Sequence, residues 1–180
     1  RWLQFLAGNG LHGILADDMG LGKTVQTLAH LTAEREKKPG RPSLVIAPTS
    51  VVPNWAAEVE KFAPHLKALV LQGKDRAALF SKIVKADLVL TSYPLLTQDF
   101  EILKAQDWHT LVLDEAQYIK NPKALTAKNA CKLNAANRIC LSGTPMENHL
   151  GELWSLMRFL MPGFLGDEKT FNTNLRKPIE

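Results

Sequence analysis

Residues 13–24 of this 180-residue chain read GILADDMGLGKT, and residues 111–115 read LVLDE. In the first stretch an apolar run, Gly13 to Ala16, passes into a glycine-rich turn and then into Gly22-Lys23-Thr24. That order suits a strand, a loop and the first turn of a helix. Glycine lets backbone N–H groups come close to an anion, and a helix start adds partial positive charge. The matching chemistry is the holding of phosphates, with Lys23 as a point charge on the β and γ groups and the Thr24 hydroxyl as a magnesium ligand. In the second stretch a buried-strand run ends in two adjacent carboxylates. Asp114 can hold the metal there, and Glu115 can orient or deprotonate a water.

Each half has a plainer reading. The strict phosphate-loop pattern requires glycine at position 17, where Asp17 stands, so the loop could be a glycine-rich turn with a capping Asp. A Leu-Val-Leu-Asp-Glu strand end also recurs in unrelated α/β proteins. Both in one chain, each closing an apolar run, favour a nucleoside triphosphate with magnesium.

The elements that must position these groups follow from hydrophobic patterning. Short apolar runs predict strands at 12–17, 43–47, 67–71, 87–91, 109–114 and 138–142. Helical spacing between them groups Val25, Leu28, Leu31 and Thr32, then Trp55, Val59, Phe62 and Ala63, then Leu150, Trp154, Met157 and Met161. Pro39-Gly40 and Pro53 punctuate the joins, and Asn54 reads as the N-cap of the helix bearing Trp55. Strands alternating with helices predict a mostly parallel sheet covered on both faces, a three-layer α/β sandwich. Ligands of such sheets bind at the carboxyl ends of strands. The polar groups at 17–24, 48–50, 91–93, 114–117 and 142–145 all follow strands, which points to one active edge. Residues 163–180 are less periodic and predict an irregular end.

The composition, 46% hydrophobic and 22% charged, is that of one globular domain. No apolar run approaches the ~20 residues of a membrane helix, and no secretory leader opens the chain. Arg1-Trp2-Leu3 without a Met reads as part of something longer. Cys131 and Cys140 form no CxxC pair, and the five histidines are scattered, so two reduced thiols and no structural zinc are expected. The expected location is intracellular, cytoplasmic and nucleoid-associated or nuclear. The net charge of +4 is compatible with nucleic acid. Arg35, Lys37, Lys38 and Arg41, and then Lys120, Lys123, Lys128 and Lys132, read as solvated faces.

The order of motifs is more specific than any one of them. DDMGLGKT (17–24) is followed by LVIAPTSVVPNWAAEVEKF (44–62), LVLTSY (88–93), LVLDEAQYIKN (111–121) and CLSGTPMENHLGELWSLMRFL (140–160). The set resembles the first of two RecA-like lobes in the Swi/Snf family of helicase-like ATPases, in helicase superfamily two. The resemblance implies a RecA-like P-loop NTPase fold, with the ATP-binding lobe over 1–166 and the start of a connection to a second lobe over 167–180. It implies ATP and Mg²⁺ as cofactors, with nucleotide contacts along Asp18, Met19, Gly20, Leu21, Gly22, Lys23, Thr24 and Val25. Thr24 and Asp114 become metal ligands, and Glu115 becomes the base, with Lys23, Asp114 and Gln117 beside it. Pro48, Thr49 and Ser50 match one segment that touches the DNA backbone, and Thr91, Ser92 and Tyr93 match a second. Ser142, Gly143 and Thr144 match the motif that couples nucleotide state to DNA contact.

Other readings stay open for these residues. Thr49-Ser50 could be a helix cap, and Ser142-Gly143-Thr144-Pro145 only a turn. Trp55 and Trp154 read as core residues rather than base-stacking platforms. Gln117 stands where the family usually has His, and Gln can hydrogen-bond but cannot become charged. The family's adenine-contacting Gln motif would precede Arg1, and the second lobe with its arginine finger lies outside the chain. The function implied is a double-stranded DNA translocase or nucleoprotein remodeller, with no membrane partner. The alternatives are a strand-separating helicase or restriction-type motor, and a nucleotide- or DNA-binding module without activity of its own.

Overall fold

The computed structural model describes residues 1–180 except 19, 38, 147–149 and 180. Helix α1 (Trp2–Gly8) precedes β1 (Gly13–Leu15), α2 (Lys23–Lys37), β2 (Ser43–Ala47), α3 (Val52–Phe62) and β3 (Ala68–Val70). A 3₁₀ segment (Asp75–Lys85) leads to β4 (Leu88–Ser92), α4 (Tyr93–Gln98), α5 (Phe100–Lys104) and β5 (Trp108–Leu113). A short 3₁₀ turn (Ala116–Ile119), α6 (Leu125–Lys132), β6 (Ala135–Leu141), α7 (Leu150–Leu160) and α8 (Glu168–Phe171) complete the main elements.

The six strands form one sheet in the order β1-β6-β5-β2-β4-β3, and every pair is parallel. The sheet is thus wholly rather than mostly parallel. Strands β2, β4 and β5 are buried at every residue, as continuous apolar runs demand when both faces are covered. Alternate side chains feed two cores. Val45, Leu90, Val112 and Leu141 pack with Leu28 and Leu31 of α2 and with Trp55 and Val59 of α3. Leu44, Ile46, Leu111 and Leu113 pack with Leu96, Leu103, Leu156 and Phe159 on the opposite face.

All six predicted strands are present, β2 with the predicted ends and the other five with shifted ones. β1 stops at Leu15 because the Asp17 carbonyl accepts the Lys23 ammonium (2.8 Å) instead of extending the ladder. β6 begins at Ala135, since Ala135 and Asn137 pair with Trp108 and Thr110 despite the polar residues around them. Asn54 is not an N-cap. The Pro48 carbonyl accepts the N–H groups of Val51 (2.8 Å) and Val52 (3.3 Å), so α3 starts upstream, and Pro53 fits its first turn. Phe62 is 46% exposed, its ring under the Lys61 ammonium. On α7 the fully buried stripe is Glu152, Ser155, Leu156, Phe159 and Leu160 with Trp154, whereas Leu150, Met157 and Met161 are only partly buried. Residues 168–179 are helical, through a π turn at Asn172–Arg176, and Phe171 packs on Trp154.

Both cysteines are free thiols, and burial pushes the ionisation of each upward. Lys120 does not lie on a solvated face: it pairs with Glu152 (3.1 Å), both nearly buried. Arg35, Lys37 and Arg41 pair with Asp87, Glu34 and Asp107. Among the described residues, no helix is long and apolar enough to cross a membrane.

Candidate active site

The parallel register brings the strand ends into line. Leu15 lies opposite Leu141, Leu113 opposite Cys140 and Ile46, and Ala47 opposite Ser92. The loops that follow therefore share one edge, as the spacing predicts. The strand that leads into Ser142, β6, lies between β1, before the glycine-rich loop, and β5, before the two carboxylates.

The loop from Ala16 to Gly22 turns through Gly20 (φ +86°) and Gly22 (φ +71°), conformations strained for any side chain. Lys23 opens α2 and curls back, its ammonium donating to the Asp17 (2.8 Å) and Asp18 (3.1 Å) carbonyls. Asp17, where the strict pattern has glycine, is put to use: its carboxylate accepts the Gln26 amide (3.0 Å), which also donates to the Leu21 carbonyl (3.1 Å). Gln26 therefore ties the loop to its helix, a role the sequence reading missed although it follows Lys23 by one turn. Thr24 and Val25 are partly buried in the first turn, and Leu21 is exposed, so Leu21 offers a ligand its backbone. Met19 lies outside the described residues. Beside the loop opens a cavity of about 630 Å³ lined by Trp2, Gln4, Ala16, Asp17, Gln26 and His30 among others. Helix α2 is anchored behind by Glu34, whose carboxylate meets His109 of β5 (3.3 Å), both buried.

Asp114 is buried at the end of β5. Its Oδ2 accepts the Trp55 indole N–H (2.7 Å) and its Oδ1 the Glu115 backbone N–H (2.9 Å). Its own carbonyl accepts the Tyr93 hydroxyl (2.7 Å). Burial raises its ionisation above the ordinary carboxylate value, against the pull of Trp55, the Glu115 N–H and the Lys23 charge. Glu115 has φ +49°, the one left-handed residue other than glycine among those described. Such backbone persists where surrounding bonds hold it, commonly at functional sites. The Glu115 carboxylate accepts the Gln117 amide (2.7 Å), and the Gln117 carbonyl oxygen accepts the Ser142 hydroxyl (3.2 Å). Ser142 in turn accepts the Thr144 N–H (3.2 Å), and its backbone N–H donates to Leu15 of β1 (3.2 Å). The segment 142–144 is thus more than a turn, since it links the two motif strands. Gly143 is partly buried and Thr144 exposed.

The donor set fits magnesium. Asp114 and Thr24 offer the hard oxygens that this ion prefers, and the Lys23 charge reaches Asp114.

The two further segments differ. Thr49 and Ser50 are exposed, and α3 has no side-chain cap, so the capping reading fails. Pro48 is buried and presents no side chain at the surface. Thr91, Ser92 and Tyr93 are 1%, 1% and 2% exposed. The Thr91 hydroxyl donates to the Leu71 carbonyl (3.3 Å), and Tyr93 points inward to Asp114. As side chains they cannot be surface contacts in this conformation, because Thr91 and Ser92 belong to β4 itself rather than to the loop after it. Trp55 is in the core as expected, but it also bonds the Asp114 carboxylate. A buried indole N–H requires an acceptor, and that requirement was the available signal.

Comparison with known proteins accords with this geometry. Residues 1–180 match the SNF2-related domain. The chain is 45% identical to TATA-binding protein-associated factor mot1 of Aspergillus fumigatus, over 99% of the chain and 10% of that protein. It is 44% identical to the Bacillus subtilis protein named "Putative ATP-dependent helicase/translocase YwqA", over 100% of the chain and 20% of that protein. The Sulfolobus solfataricus SWI2/SNF2 ATPase core, solved in complex with dsDNA, superposes with a TM-score of 0.93 at 44% identity, over 99% of the chain and 37% of that structure. The chain spans a tenth to a fifth of the length of these two relatives. With the SNF2-related domain matched over all of its residues and its parallel α/β sheet superposing on a SWI2/SNF2 ATPase core, the chain belongs to the SNF2-related family.

Proposed function

We propose that this chain is the ATP-binding and hydrolysing lobe of a Swi/Snf-type translocase on double-stranded DNA. The observation that carries the reading is the bonded path Leu15–Ser142–Gln117–Glu115, which joins the phosphate-loop strand to the base beside the buried Asp114. Lys23 and the Gly20–Gly22 backbone would bind the β and γ phosphates. Thr24 and Asp114 would hold Mg²⁺, which when bound neutralises charge on the phosphates. Glu115, left-handed and hydrogen-bonded by Gln117, presents a carboxylate oxygen that can take the proton of an attacking water. The exposed Thr49 and Ser50 would meet the phosphate backbone, positioning a duplex without reading its sequence. The name of the Bacillus subtilis relative and the DNA in the Sulfolobus solfataricus complex support this reading. A second lobe, reached through residues 167–180, would supply an arginine to the γ-phosphate, an effect of about 10³–10⁵ in rate in related phosphoryl transfer.

The test is ATP hydrolysis by the full-length natural protein with and without duplex DNA, beside an assay of strand separation. Duplex-stimulated turnover without unwinding is the expected result. Unwinding of the duplex would establish a strand-separating motor instead, and turnover indifferent to DNA would overturn the translocase.

A further inference from the structure

Asp114 is held by its neighbours more completely than a metal ligand requires. Each carboxylate oxygen already has a donor, the Trp55 indole on Oδ2 (2.7 Å) and the Glu115 N–H on Oδ1 (2.9 Å). The backbone on either side is fixed by the Tyr93 hydroxyl on the Asp114 carbonyl (2.7 Å) and by the Asp114 N–H on Ile46 (2.9 Å). The two aromatic donors come from different elements. Trp55 lies on α3, one turn beyond the exposed Thr49-Ser50, and its backbone N–H bonds the Val51 carbonyl (3.1 Å). Tyr93 opens α4 directly after β4. Its outer face stacks on Tyr118 (centroids 4.7 Å, planes 2° apart), and the Tyr118 N–H donates to the Glu115 carbonyl (3.1 Å). The left-handed turn at Glu115 is therefore bracketed by bonds from both tyrosines.

We infer that Trp55 and Tyr93 are positioning residues, two rigid arms that set the Asp114 carboxylate, and that Trp55 passes to the acid pair any displacement of the exposed segment at 48–50. The inference rests on the reading of the site as an ATP- and duplex-dependent motor. An aromatic side chain has two torsions, so movement of its helix is passed on with little slack. A purely apolar filler would not need the indole N–H, whose burial is costly unless it is bonded. Trp55, Tyr93 and Asp114 are all buried, whereas the stacked partner Tyr118 reaches solvent.

The test uses the full-length protein and a fluorescent, non-hydrolysable ATP analogue. Two quantities are read: the Mg²⁺ concentration giving half-maximal binding, and the gain in affinity on adding duplex DNA. Trp55→Phe keeps an aromatic ring and removes the N–H, and should raise the Mg²⁺ midpoint about tenfold, as loss of one hydrogen bond to a charged acceptor implies. Trp55→Phe should also bring the duplex-induced gain towards one, and Tyr93→Phe, which removes the donor on the Asp114 carbonyl, should raise the midpoint about fivefold and keep the gain. Val59→Ala, in the same core and helix, lowers the melting temperature measured in EDTA and should leave the midpoint in place. An unmoved midpoint in Trp55→Phe, or an equal shift in Val59→Ala, overturns the positioning role. An undiminished gain in Trp55→Phe overturns the link to DNA, and an unmoved midpoint in Tyr93→Phe removes Tyr93 from the positioning role. If the wild type gains nothing from duplex, the DNA reading and its link both fall, and the Mg²⁺ midpoint alone decides whether Trp55 sets the carboxylate.

Discussion

The carboxyl edge of the sheet has two halves that solve different problems. At the ends of β1, β6 and β5 the polar side chains bond one another, Ser142 to Gln117 and Gln117 to Glu115. At the ends of β2 and β4 two similar sequences, Pro-Thr-Ser and Thr-Ser-Tyr, part company. Thr49 and Ser50 lie past the strand and face solvent, whereas Thr91 and Ser92 are the last residues of theirs and face protein. A hydroxyl is a surface contact or a structural one according to where the ladder stops, and a slip of one residue reverses the face.

If the halves divide the work in this way, substitutions in the first should change chemistry and binding, and those in the second only the response to DNA or the stability. The largest effect belongs to Glu115→Gln, which keeps the shape and loses the basic oxygen. Phosphate release by the full-length protein should fall at least ~100-fold while ATP analogue binding persists. Normal turnover would remove Glu115 from the role of base. Lys23→Ala should come next, weakening the analogue by about tenfold or more through loss of a charge-assisted bond. Fluorescence titration reads it, and an unchanged affinity would place the phosphates elsewhere.

In the second half, Thr49→Ala with Ser50→Ala should lower DNA-stimulated turnover about fivefold, the worth of one neutral hydrogen bond, without altering ATP affinity. Thr91→Val should do the reverse. It costs about 1 kcal/mol of stability from the lost bond to Leu71, seen in denaturant unfolding, and leaves the DNA response in place. If Thr91→Val abolished the DNA response instead, the two segments would be equivalent after all.

The smallest effect concerns the anchor behind α2. Burial pushes the Glu34 carboxyl up, but bonds from Lys37 and His109 outweigh it and hold the group below its ordinary value of 4.5. A depressed folded value means stabilisation that is present above pH 4.5 and lost as pH falls below it. The melting-temperature difference between the wild type and Glu34→Gln should therefore narrow on acidification, and a gap that widens would reverse the assignment.

The sheet was readable from the chain because its strands are unbroken apolar runs such as Leu44-Val45-Ile46 and Leu111-Val112-Leu113, a pattern that double-sided burial imposes. The loop and the acid pair stood out because both close apolar runs in one chain, although either pattern alone recurs in unrelated proteins. What periodicity could not reach were contacts set by the third dimension. Trp55 and Asp114 are 59 positions apart, and Lys120 meets Glu152 across a helix packing that no local pattern encodes. Phe62 fits an apolar stripe yet stands at its rim, since a stripe fixes a direction and not a depth. Asn54 has the chemistry of a cap, but Pro48 starts the turn earlier and takes the position from it.

The strand that leads into the glycine-rich loop, β1, is one of the sheet's two edge strands, and three of its residues are paired, all to β6. Opening it breaks one short ladder, whereas opening β5 breaks ladders on both sides. Amide protons at Gly13–Leu15 should therefore exchange with solvent through local fraying, well before those at Leu111–Leu113, whose release awaits global unfolding. A loop carried on such an edge can be ordered by what it binds while the rest of the sheet stays closed, so protection gained on ligand binding should be concentrated in these few amides.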